Sequence, residues 1–163
     1  MKLLSSDIAL KRLSLKNPIH FLALGFGSGL AAKAPGTFGT LAAVPLYLLM
    51  SSLDLTWYVA ITVIATLAGF YICGKAAKDM EVHDHGAIVW DEVAGLLITM
   101  IAAPAGWIWP VIGFALFRFF DIIKPWPIRW LDAHVHGGFG IMIDDVLAGV
   151  FALLSLQVLV YLY

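Results

Sequence analysis

The sequence predicts an all-α fold: a polytopic membrane bundle of about four to five apolar helices whose polar loops gather on one face. Three observations carry that expectation. Of the 163 residues, 61% are hydrophobic and only 13% charged, with a mean hydropathy of +0.92, which leaves too little polar side-chain surface for a water-exposed domain. Several stretches run for 15 residues or more with few or no charges. The Lys and Arg residues, finally, fall into clusters separated by loops that contain neither.

A helix that crosses a bilayer needs about 17–25 mostly apolar residues, because no water is present to satisfy its backbone. Residues 37–53, 55–74, 93–108 and 146–163 come close to that length, and 109–123 is a fifth candidate that ends in Arg118 and Asp121. The glycine-rich stretch at 20–32 is too short to cross and reads as re-entrant or interfacial. The residues before it, 1–16, can form a short amphipathic segment that turns Ile8, Leu10, Leu13 and Leu15 toward lipid. Lys11, Arg12 and Lys16 interrupt any apolar core there, so a cleavable leader is not expected. The whole chain, 1–163, reads as one domain.

If the five stretches cross in succession, every Lys and Arg lies on one side, and the loops at 51–56 and 104–108 have none. The positive-inside rule then puts the N-terminus and the polar loops in the cytoplasm. Trp57, Trp107 and Trp109 lie near the opposite ends, where interfacial aromatics belong. The pair of segments around Pro104 can instead form a hairpin that never fully crosses. A net charge of -1 offers no basic surface for nucleic acid, and a lone Cys73 excludes an internal disulfide.

The acidic residues are placed unusually. "WDEVAGLLITMIA" at 90–102 and "IDDVLAGVFALLS" at 143–155 each put an acid pair, Asp91 with Glu92 and Asp144 with Asp145, before an apolar run, with Ala-Gly about one turn later. One acid at a helix N-terminus is favoured by the helix dipole. A second ionised neighbour in a dry site is costly unless a cation lies between, and oxygen-only ligands suit Mg²⁺ or Mn²⁺ better than zinc. Helix capping with a surface neighbour is the alternative.

Three further groups complete the inventory. Arg118, Asp121 and Lys124 recur at i, i+3 and i+6, as a salt-bridge ladder or as a carboxylate flanked by two phosphate-binding cations. Lys33 precedes "PGTFG", where Gly36 and Thr37, the latter a helix N-cap, can expose backbone N–H groups to an anion. "HDH" at 83–85 and "HVH" at 134–136 offer histidines for proton transfer, for phosphate or for a transition metal. No C-x5-R or D-x-D pattern is present, so metal-assisted attack on phosphorus is the phosphate chemistry that remains.

The blocks "VHDHG", "WDEVAG", "DIIKPWPI" and "GIMIDD" occur in the order in which they occur in bacterial phosphatidylglycerophosphatase A, and residues 17 to about 150 resemble that family throughout. The resemblance implies a Mg²⁺-dependent enzyme of the bacterial inner membrane that hydrolyses phosphatidylglycerophosphate, a phospholipid, to phosphatidylglycerol. On that reading Asp91, Glu92, Asp144 and Asp145 hold the metal. Asp121 is a further ligand or an anchor for Arg118. Lys124 and Arg118 grip phosphoryl oxygens, with Lys33, Gly36 and Thr37 as a weaker cradle. His85 or a carboxylate, among them Asp91, Asp121 and Asp145, carries the proton. The competing expectation is a small transporter or channel subunit in which the acids form an ion path, which requires charges spread through the depth of the helices.

Overall fold

The computed structural model describes residues 8–163, and no strand occurs among them. Residues 1–7 of the expected amphipathic segment lie outside the description. Of its apolar positions, Leu10 and Leu13 pack against the core while Ile8 and Leu15 stay exposed.

Helix α1 spans Pro18–Ala23 and begins where Asn17 accepts a hydrogen bond from the Ile19 backbone N–H at 2.9 Å, with Pro18 in the first turn. A single 3-10 turn, Ser28–Leu30, follows, so the stretch at 20–32 contains no continuous helix. Helix α2 spans Pro35–Met50. Thr37 is not its N-cap: Pro35, whose fixed φ is already helical, starts the helix after Ala34, and Thr37 falls inside the first turn.

Helix α3, Leu55–Met80, and the last helix, α7, Gly137–Leu162, each contain 26 residues, or about 39 Å of rise, and are the two candidate membrane spans. Only 22% of the most apolar window of α3 and 28% of that of α7 is buried inside the protein. Exposed Ile64, Leu67, Leu154 and Val158 therefore face outward on helices with few charges to offer water.

The stretch at 93–108 is not one crossing. Helix α4 covers only Trp90–Thr99, a turn through 100–107 follows, and α5 runs over Ile108–Ile123. Pro104, which cannot donate, and Gly106 at φ +125° break the run, which gives the hairpin that the sequence left open. Every residue of α4 after Glu92 is buried, because α2, α3, α5 and α7 pack around it. A helix that is apolar on all sides is at home in such a position. Gln157 of α7 fastens the following turn by donating to the Ile101 carbonyl at 3.1 Å. A short helix α6, Ile128–His134, connects α5 to α7.

The repeated Ala-Gly has a structural cause. Gly95 and Gly149 face each other where α4 crosses α7, and a Cβ on Gly149 would lie 2.7 Å from the Gly95 carbonyl oxygen. Small residues let the two backbones approach, and each lies one turn beyond an acid pair, so the crossing draws the acids of both helices to one end. Gly149→Val is accordingly expected to destabilise the protein by about 1–3 kcal/mol. The fall should appear in the thermal midpoint of detergent-solubilised protein, and an unchanged midpoint would contradict this contact.

Candidate active site

The two acid pairs stand differently in their helices. Asp91 and Glu92 occupy the first turn of α4. Asp144 and Asp145 do not begin a helix: α7 starts at Gly137, so they lie about two turns inside it, beyond the reach of the terminal dipole. Capping explains neither of them. Both are nonetheless buried, at 6% and 3% exposure, which in a chain with few polar partners demands another reason.

One carboxylate oxygen each from Asp91, Glu92 and Asp145 lies within 4.8 Å of the others. Asp91 Oδ1, Glu92 Oε2 and Asp145 Oδ2 are buried without a hydrogen-bond partner. Burial first, then the charges of Glu92 and Asp145, push the Asp91 carboxyl well above the usual carboxylate range, and burial also raises Glu92. Three acids from two helices thus bring carboxylate oxygens close together and each keeps a buried oxygen unsatisfied, an arrangement a divalent cation would relieve.

Asp144 turns elsewhere. Successive helical residues project about 100° apart, so its neighbour's direction is closed to it. Its Oδ2 accepts from Lys124 Nζ at 2.5 Å, while Oδ1 remains buried and unpartnered. Lys124 ends α5 in a left-handed conformation (φ +48°) ahead of Pro125 and also reaches Asp132 Oδ1 at 3.1 Å. Burial works against its ammonium, but the hydrogen bond and charge of Asp144, then those of Asp132, outweigh it and hold the pKa above the usual lysine value.

These groups line a cavity of about 180 Å³ whose wall includes Asp91, Glu92, Asp121, Lys124, Asp144 and Asp145. Arg118 stands behind that wall. Its Nη1 pairs with Asp121 Oδ2 and lies 4.0 Å from Glu92 Oε1. Asp121 therefore anchors the guanidinium, and Arg118 offsets the acidic cluster from outside. The start of α2 closes against the same groups, since a Cβ on Gly36 would lie 3.3 Å from Arg118 Nη1 and closer still to Glu92 Oε1. Lys33 is exposed, and neither it nor Thr37 lines the cavity.

The histidines are combined in a way the H-x-H spacing does not announce. His83 from the loop after α3 and His136 from the loop before α7 both line the cavity, with ring centroids 6.1 Å apart. His85 instead turns its Nδ1 to accept from the Ala87 N–H at 3.1 Å and is not part of the lining. His134 stacks on Trp130. What pairs across the two loops is the first histidine of one motif and the second of the other, a tertiary fact with no local signal.

Beyond Asp145, α7 carries no further charge, and the charges of α3 are confined to its last six residues. An ion path through the helices would need more than this.

The model of the family described as phosphatidylglycerophosphatase A matches residues 21–160. A phosphatidylglycerophosphatase A from Escherichia coli (strain K12) is 53% identical over 145 residues, which cover 88% of this chain and 84% of the relative. One from Haemophilus influenzae is 51% identical over 154 residues, covering 93% and 94%. No solved structure matches the chain.

Proposed function

The chain belongs to the phosphatidylglycerophosphatase A family, and from that premise we propose that it hydrolyses the terminal phosphomonoester of phosphatidylglycerophosphate to give phosphatidylglycerol and phosphate, with Mg²⁺ held by Asp91, Glu92 and Asp145. The observation that carries the reading is the convergence of three carboxylates, each with a buried, unpartnered oxygen. The donors are all oxygen, the charge is negative and the space is confined, so the residues fit a hard divalent cation. When bound, such an ion neutralises the transferring phosphoryl group and acidifies water.

The remaining work falls to the chain. Lys124 sits where the phosphoryl oxygens enter, held by Asp144 and Asp132, and exchanges part of those contacts for the incoming anion. Asp144 lines the same cavity, and its carboxylate can take a proton from the attacking water. As the bond from phosphorus to the glycerol oxygen breaks, that oxygen takes a proton from His83 or His136 on the wall, and the products are the lipid alcohol and inorganic phosphate. Arg118, itself held by Asp121, steadies Glu92 from behind the wall.

A lipid substrate accounts for the setting. The reading places a single multi-pass domain, 1–163, in the bacterial inner membrane, with α2 and the α4–α5 hairpin completing the bundle around the two long helices. Lys75, Lys78, Lys124 and Arg129 lie at the helix ends nearest the carboxylates, while the loops at 51–54 and 100–107 contain no Lys or Arg. That asymmetry supports a cytoplasmic active site.

Purified protein in detergent tests the assignment. Phosphate release from phosphatidylglycerophosphate is expected with Mg²⁺, to fall at least roughly a hundredfold in excess chelator, and to return when Mg²⁺ is restored. A rate indifferent to the chelator would remove the metal from the account.

A further inference from the structure

Beside the carboxylate cavity lies a second hollow, a groove of about 530 Å³ walled by Ile123, Lys124, Trp126, Arg129 and Trp130. Lys124 lines both, so the two hollows adjoin at its side chain. The groove is apolar and open. Trp126 is 81% exposed and Trp130 52%, next to exposed Ile122 and Ile123, which is more bare apolar surface than water favours.

One cation in this wall stands apart from the others at the site. Lys124 is neutralised by Asp144 and Asp132, and Arg118 by Asp121. Arg129 is exposed and, among the described residues, has no carboxylate partner. A single hydrogen bond from its Nη2 to the Ile123 carbonyl at 3.2 Å holds the side chain along the groove and leaves its other N–H groups available. Trp130 is steadied by the ring of His134, stacked at 4.7 Å.

The substrate of the proposed reaction carries two phosphates: the monoester that is removed and, beyond a three-carbon glycerol, a phosphodiester that the product retains. Resting on that reading, we propose that this groove seats the retained half of the lipid, with Arg129 binding the phosphodiester and Trp126 and Trp130 lying along the glycerol backbone and first acyl carbons. A guanidinium suits a two-oxygen anion through paired hydrogen bonds, and indole rings suit the boundary between headgroup and hydrocarbon. Arg129 becomes a specificity residue: it favours a lipid with a diester in register with the monoester.

Calorimetric titration of the full-length protein in detergent, with dihexanoyl phosphatidylglycerol and with dihexanoylglycerol, tests the assignment without turnover. Arg129→Gln is expected to weaken binding of the phosphatidylglycerol roughly tenfold and to leave dihexanoylglycerol within about twofold, whereas Trp126→Ala weakens both. Equal effects of Arg129→Gln on the two ligands, no effect on the first, or failure of the unsubstituted protein to bind either would overturn it. Phosphate release from phosphatidylglycerophosphate, followed on the same preparation, separates the two readings. Its absence would sink the phosphatase assignment and leave a diester site standing on the binding data.

Discussion

Asp145→Asn is expected to lower phosphate release by on the order of a thousandfold or more while making the metal-free protein more stable. The catalytic loss follows because the amide keeps the shape of the side chain but removes one of three charges that converge within 4.8 Å, and the electrostatic help an ion gives to phosphoryl transfer amounts to several kcal/mol. The gain in stability follows from the same geometry. Asp145 is buried, its Oδ2 has no partner, and it stands close to Asp91 and Glu92, so the native state without an ion must either hold like charges together or take up protons to relieve them, and both cost stability. Each kcal/mol relieved raises the thermal midpoint of a chain of this size by about 2–4 °C. Phosphate-release kinetics and thermal unfolding in chelator, measured on one preparation, read both effects. Near-normal turnover would remove Asp145 from the site, and a variant that is both inactive and less stable would make its role structural.

Lys124→Met is expected to be damaging twice over. The Lys124 side chain is only 25% exposed and that of its principal partner, Asp144, 8%, so removing the cation strands a buried carboxylate. Breaking such a pair from one side costs about 3 kcal/mol, at the lower end of the range for buried pairs because the lysine still touches solvent. Turnover falls as well, since nothing else in the cavity lining supplies an ammonium to the phosphoryl group. A second substitution separates the two effects: Lys124→Met with Asp144→Asn should recover most of the lost stability, measured by thermal unfolding, while its phosphate release stays well below that of Asp144→Asn alone. Release equal to that of Asp144→Asn alone would show that Lys124 serves only to neutralise Asp144.

The sequence made some of this legible and hid the rest for identifiable reasons. Uncharged length announced α3 and α7 directly, and acid pairs beside apolar runs singled out the residues that the fold then gathers. The start of α7 was hidden because Gly137, Gly138 and Gly140 are poor helix formers. At Gly138 a close approach overrides propensity, since a Cβ there would meet the Phe70 carbonyl and the backbone of Gly74 in α3. The true nature of 93–108 was hidden because a run that is apolar on every side looks the same whether lipid or protein surrounds it. Only the surrounding helices decide that α4 is a buried stub. The division of labour between Asp144 and Asp145, one on Lys124 and one in the triad, depends on the rotation of α7 about its axis, which adjacent identical letters cannot display. The pairing of His83 with His136 depends on two loops meeting, and no spacing within either encodes it.

The central claim is that α4 and α7 together hold one divalent ion between Asp91, Glu92 and Asp145, and Mn²⁺ binding measured by electron paramagnetic resonance tests it most directly. Titrated into detergent-solubilised protein, Mn²⁺ should lose its free-ion signal against the unsubstituted chain, and Mg²⁺ should displace it. Asp91→Asn and Asp145→Asn, one from each helix, should each weaken that capture by at least roughly tenfold. Undiminished Mn²⁺ binding in both variants, with the fold intact, would contradict the account.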